Sequence, residues 1–131
     1  MPTNRFDRPA GILVGLEGVG LVGLAAWQVL ALVSGDTGSP VSAIALIVLT
    51  VIGAAVVLAF AAAIVRARSW GRSGGIVTQL LILAVALGAA TGSFADGTTA
   101  LVIAGPAVVA LVVLVLAVRD AGRTADDDGT V

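Results

Sequence analysis

The sequence predicts an all-α membrane protein, a bundle of four transmembrane helices with both termini cytoplasmic. Three observations carry that expectation. The 131-residue chain is 59% hydrophobic and only 11% charged, whereas soluble domains are nearer half apolar and a quarter charged. Four apolar runs follow one another, each close to the ~20 residues whose 1.5 Å rise crosses a hydrocarbon core of ~30 Å. All seven arginines fall in segments that four spans place on one side, and the two remaining loops contain none.

The first run, 10–33, has no Arg or Lys and one acid, Glu17. Residues 1–9, with Arg5, Asp7 and Arg8, form a polar cytoplasmic leader. The run is too long for the 7–15-residue apolar core of a signal peptide, so it reads as an uncleaved first span. Ser34-Gly35-Asp36 ends it, with Gly35 suited to the left-handed position after a helix. Ser39 and Pro40 suit the N-cap and first position of the next helix. The second run, 41–65, holds no charge. Arg66, Arg68 and Arg72 follow around Trp70, a basic loop with one interfacial aromatic. These arginines hold topology and meet anionic headgroups at about 1 kcal/mol each.

The third run, 75–95, is diluted by Thr78, Gln79, Thr91 and Ser93, and 96–99 form a tight turn. The fourth, 100–118, contains Pro106, which removes a backbone hydrogen bond near Val102 and is expected to bend the helix. It ends in Arg119 and Asp120, with Gly122 as C-cap. The tail, 119–131, carries Asp126, Asp127 and Asp128 and reads as a disordered acidic cytoplasmic segment. With an even number of spans, the basic segments share one side, and the positive-inside rule makes it the cytoplasm.

Composition also closes off chemistry. The chain lacks Cys, His, Tyr and Lys. Disulfides, thiol nucleophiles, imidazole ligands, tyrosyl proton donors and Schiff-base lysines are therefore excluded. No zinc spacing, P-loop, catalytic triad or nucleic-acid surface occurs, and neither cofactor nor metal is expected. Residues 18–23 fit G-x-G-x-x-G, but a dinucleotide site needs a preceding strand and a helix opening at the glycines. Here the glycines lie inside a continuous apolar helix.

Two features remain. In lipid, apolar surface drives little helix association, and small residues supply close packing instead. Gly11, Gly15 and Gly18 form one stripe on the first helix. Ala55, Ala59 and Ala63 repeat the spacing on the second, Ala84, Gly88 and Gly92 on the third, and Ala100 and Ala104 begin it on the fourth. Packing within the bundle accounts for these stripes more simply than a dimer face. The second feature is polar. An acid inside a span costs about 2.5–3.5 kcal/mol and is a functional candidate by default. Glu17 and Gln79 lie at similar depths, which allows a hydrogen bond between helices one and three, with Thr78 beside it. Gln28 lies three turns beyond Glu17, almost on the same face, near Trp27. Three roles compete for Glu17: a neutral structural acid bonded to Gln79, a proton- or cation-coupling carboxylate, or an anchor for a polar group on a partner helix.

The run Arg5-Phe6-Asp7-Arg8-Pro9, then Leu16-Glu17-Gly18, and Arg68-Ser69-Trp70-Gly71-Arg72 leading to Val77-Thr78-Gln79-Leu80 resemble small four-span integral membrane proteins of actinobacteria. That resemblance implies topology and source, marks Glu17 and Gln79 as motif positions, and brings no assigned activity. The span count and Glu17 also resemble small multidrug-resistance transporters, which use one essential acid in the first of four short spans. The chain departs from them in its one-sided arginines and in having no Tyr and only Trp27 and Trp70 for an aromatic cage. The expected function is a non-enzymatic accessory or assembly subunit in the cytoplasmic membrane. Its partners are the lipid bilayer and a membrane protein or further copies of itself. The alternative is a small proton-coupled transporter with Glu17 as the coupling acid.

Overall fold

A computed structural model describes residues 4–93 and 95–129. Four helices follow in order: α1 (Asp7–Val33), α2 (Pro40–Val65), α3 (Ser69–Thr91) and α4 (Gly97–Gly129). No strand occurs among the described residues. All four helices are long and apolar enough to cross a membrane, and at 27, 26, 23 and 33 residues each exceeds the ~20 that a hydrocarbon core requires.

Each helix packs on its chain neighbour, and α4 closes back on α1. Contact is broadest between α1 and α2 and between α3 and α4, and narrower between α2 and α3 and between α1 and α4. The starts of α1 and α3 therefore lie at one end with the end of α4. Side chains tie that end together: Asn4 Nδ2 donates to the Ala117 carbonyl at 2.7 Å, and Arg72 meets Asp7 at 3.2 Å. All seven arginines gather around it, so it is called the basic end below.

The helix ends follow local rules. At the close of α1, Gly35 takes φ 75°, the Asp36 N–H reaches the Ala31 carbonyl and the Gly35 N–H reaches Leu32. This is a Schellman cap, with Gly35 at the left-handed position that glycine occupies without strain. The end of α2 repeats the motif through Arg68 to Ala63 and Ala67 to Ile64, but there the left-handed residue is Ala67, φ 57°. Ser39 caps α2 by accepting from the Ser42 N–H at 3.4 Å, with Pro40 as the first helical residue. Asp96 caps α4, accepting from the N–H groups of Thr98 and Thr99 at 3.1 Å each and from the Thr99 hydroxyl.

Several boundaries depart from expectation. The leader is not separate from the first span, because α1 begins at Asp7. The third helix starts at Ser69, six residues before the apolar run, and takes Trp70 and Arg72 into its first turn. The tail is a correction. Residues 119–129 continue α4 as helix, so Gly122 is interior, and 130–131 lie outside the described residues. The nucleation cost of this helix is met within the span, and each further residue then adds one hydrogen bond without needing an apolar face. Ala117 is fully buried near the join and anchors it. The helix runs through Pro106.

The core is off-centre. Ala10, Val14, Val57, Ala61, Ile64 and Leu114 form one buried cluster, with Leu21, Phe60, Ile76 and Val113 against it. Most of these lie in the half of the bundle nearer the basic end. In the opposite half the buried hydrophobics are alanines, such as Ala25, Ala86, Ala100 and Ala107. There a shallow apolar groove of about 450 Å³ opens between α3 and α4, lined by Leu83, Ala86, Leu87, Ala90, Gly97, Ala100, Leu101 and Ala104.

The small-residue stripes divide. Gly11, Gly15 and Gly18 all face α2: a Cβ at Gly18 would lie 2.6 Å from Leu58 Cδ2, and one at Gly15 would touch the Ala61 Cβ at 3.7 Å. Gly11 meets Val65 in the same way. Ala63 is buried against Gly71 of α3, where a Cβ would come within 2.8 Å of the Ile64 nitrogen. Ala55 and Ala59 face outward, as do Ala84 and Gly88, and a Cβ at Gly88 would meet nothing. The buried residues of α2 are Ala54, Val57, Ala61, Ala63 and Ile64. Spacing gives a period but no phase. The polar residues of α2, Ser42 and Thr50, are too few to mark an outer face, and of the expected stripe only Ala63 is buried.

Candidate functional site

Two polar tiers lie inside the basic half. The outer tier begins with Asn4, whose side-chain oxygen accepts from the Phe6 N–H while Asp7 Oδ2 accepts from the Asn4 N–H, both at 3.1 Å. That reciprocal exchange is a variant of the capping box and satisfies backbone donors at the start of α1. It leaves Asp7 fully buried, and the Arg72 guanidinium supplies its counter-charge at 3.2 and 3.4 Å. Arg72 thus bridges α3 to α1, with its side chain only 12% exposed. Its charge is spent on Asp7, while Arg66 and Arg68 face outward as headgroup contacts would. Trp70 sets its ring edge-on to Phe60, centroids 5.9 Å apart.

Above this tier opens a polar cleft of about 590 Å³, lined by Asn4, Asp7, Ala67, Ser69, Arg72, Asp120, Ala121, Thr124, Ala125 and Asp128. The continuation of α4 past residue 118 builds one wall of it. Spacing alone does not disclose this cleft, because it exists only if 119–129 are helical.

The inner tier is Glu17 and Gln79. Each lies ten residues into its helix, ~15 Å from the start, and α1 and α3 both run away from the basic end. Equal count therefore gives equal depth. The Gln79 amide donates from Nε2 to Glu17 Oε2 at 2.5 Å, across the diagonal of the bundle. Gln79 is completely buried, Glu17 partly so. Gln79 Oε1 has no hydrogen-bond partner among the described residues.

The other expected members stand apart. The Thr78 hydroxyl donates to the Gly74 carbonyl of its own helix at 2.9 Å. Gln28 lies farther along α1, where its own Oε1 is also buried without a partner. Neither joins Glu17. What the sequence reading missed is the outer tier, Asn4 with Asp7, whose signal was an Asn followed three residues later by an acid ahead of an apolar run.

Magnitudes decide what the inner pair can be. Hydrogen bonds between membrane helices contribute about 0.6–2 kcal/mol, while an ionised acid at mid-span costs about 2.5–3.5 kcal/mol. The bond to Gln79 alone does not offset a charged Glu17. Among the described residues, no three His, Cys, Asp or Glu side chains gather as a metal site. Neither the family models nor the curated proteins nor the solved structures compared with this chain match it.

Proposed function

We propose that this chain is a multi-pass protein of the cytoplasmic membrane that acts, without enzymatic activity of its own, as an accessory or assembly subunit through helix–helix contacts. Both termini and the α2–α3 connection lie in the cytoplasm, by the seven-to-none placement of arginine. The observation that carries the assembly reading is the distribution of packing. The half away from the basic end buries little beyond alanine, and beside the groove of α3 and α4 large side chains such as Leu87 and Leu101 point outward. Small residues lining an open groove let another helix approach closely, which is how helices associate in lipid. The partner is a membrane protein or a second copy of this chain.

Native mass spectrometry of the protein extracted gently from its own membrane tests this. A stoichiometric second polypeptide or a defined homo-oligomer is expected, and a monomer carrying only lipid refutes the reading. The second reading, a small proton-coupled transporter using Glu17, draws its support from the partnerless oxygen of Gln79 beside that acid. Glu17→Gln separates the two, because coupled flux in liposomes collapses with the neutral isostere while assembly survives.

A further inference from the structure

The apolar groove between α3 and α4 ends at an acid. Ala90 and Gly97 line its end farthest from the arginines. Asp96 lies in the turn between them, its N–H donating to the Ala89 carbonyl at 3.0 Å. The Asp96 carboxyl is exposed, and the Thr99 hydroxyl, then the Thr99 and Thr98 N–H groups, hold it below the ordinary aspartate range. It therefore stays ionised at neutral pH and in mild acid. From that acid the groove runs two turns toward the middle of the bundle, ~10 Å. Its floor is buried Ala86 and Ala100, and exposed Leu87 and Leu101 stand at its rim. A furrow of this kind takes the ridge of one helix.

Charge decides whose helix it is. Beyond the spans at this end the chain has two charged residues, Asp36 and Asp96, and no base. Under the proposed topology every copy inserts the same way, so a second copy brings only acid to the groove. A twofold dimer across this face must also be self-complementary, yet it sets one concave groove against another and leaves the space between them unfilled. A phospholipid chain lying in the groove sets its phosphate beside the same acid. We infer that the groove receives one transmembrane helix of a different protein, bulky and apolar over two turns and followed by an arginine or lysine that meets Asp96. Bases are scarce on the non-cytoplasmic side of a membrane, so this pairing selects among partner helices. The inference rests on the assembly reading and its topology, and narrows the partner to another protein.

A synthetic helix tests it. A transmembrane peptide of leucine and alanine carries Arg, Gln or Glu at one end, an acceptor dye beside that residue, and a fixed pair of aspartates at the other. The full chain carries a donor dye on Gly38→Cys, at the same end as Asp96, and both are reconstituted in phosphatidylcholine vesicles. Saturable energy transfer is expected with the Arg peptide. Half-saturation should need about threefold more of the Gln peptide, the size of an exposed ion pair, and more again of the Glu peptide. Asp96→Asn keeps an N-cap side chain and should make the three peptides equal. Ala90→Trp fills the groove from an exposed position and should abolish saturable transfer for all of them. Three peptides that bind the unaltered chain equally, or not at all, overturn the inference, as does binding that survives Ala90→Trp. Saturable transfer between donor- and acceptor-labelled copies, lost in Ala90→Trp, gives the groove to a second copy. The inference then falls while the assembly reading stands.

Discussion

At the scale of single residues, the structure separates groups that hold the fold from groups that burden it. Glu17→Gln keeps a partner for the Gln79 amide and is expected to change stability little. Glu17→Leu takes away the partner of Nε2 in a fully buried amide and should cost about 1–3 kcal/mol. Replacing both members with leucine removes the stranded groups, so Glu17→Leu/Gln79→Leu recovers the unaltered stability or exceeds it. Thermal unfolding of the four proteins in one detergent checks that order, and a double variant weaker than Glu17→Leu alone contradicts it. Ala67 offers a cleaner case. Its φ of 57° costs a residue with a Cβ about 1–2 kcal/mol, so Ala67→Gly should raise stability by about 1 kcal/mol, less glycine's extra unfolded-state entropy. Asp96 gives the pH dependence. The Thr99 hydroxyl, and then the Thr99 and Thr98 N–H groups, hold its exposed carboxyl below the ordinary value for aspartate. A depressed carboxylate stabilises the folded state above its unfolded pKa and loses that contribution as pH falls through the folded one. Hydrogen exchange at Thr98 and Thr99, corrected for intrinsic rates, should therefore lose protection on acidification below the usual aspartate range. Asp96→Ala should show no such step.

At the scale of elements, what the sequence disclosed depended on whether a residue type carries its own directional information. The caps were legible because Ser39-Pro40 and Gly35 each serve a specific backbone geometry. The Glu17–Gln79 bond was legible because both helices start from the same end, so counting residues measures depth. The contact face of α2 is not legible, since Ser42 and Thr50 alone do not define a polar side to orient it, and Ala55 and Ala59, expected at the contact, face outward. The polar ends were misjudged for a related reason. Arg72 and the charged residues of 119–129 read as loop and tail, but charge at a membrane boundary does not break a helix whose backbone bonds are already propagating. That error hid the ion pair of Asp7 and Arg72, which joins α1 to α3. Removing one partner of a buried pair leaves an uncompensated charge and costs about 3–5 kcal/mol. Arg72→Met should fall in that range, and Asp7→Leu/Arg72→Met should regain most of the loss. If the double variant is as unstable as Arg72→Met, the pair is not coupled as the geometry implies.

At the scale of the whole molecule, one asymmetry organises the rest. The basic end has the ion pair, the strap from Asn4 to Ala117, the polar cleft and the larger buried side chains, while the far half is held by alanines and opens into an apolar groove. A bundle built this way has a firm end and a loose one, and the proposed topology puts the firm end, with its seven arginines, in the cytoplasm. The chain has no cysteine, so a single introduced thiol reports its own side of the membrane without background. Gly38→Cys, in the α1–α2 connection, should react with an impermeant maleimide in intact cells. Arg123→Cys, on the extension of α4, should react only after the membrane is opened. Both positions are exposed, so a failure to label reflects the membrane and not burial. Labelling at Arg123→Cys alone in intact cells inverts the topology, and it also turns the cleft below Glu17 toward the outside. Equal labelling of both positions in intact cells means that the chain inserts in two orientations. The arginine bias, which favours one orientation by about 1 kcal/mol for each residue near an anionic leaflet, would then be too weak to set direction.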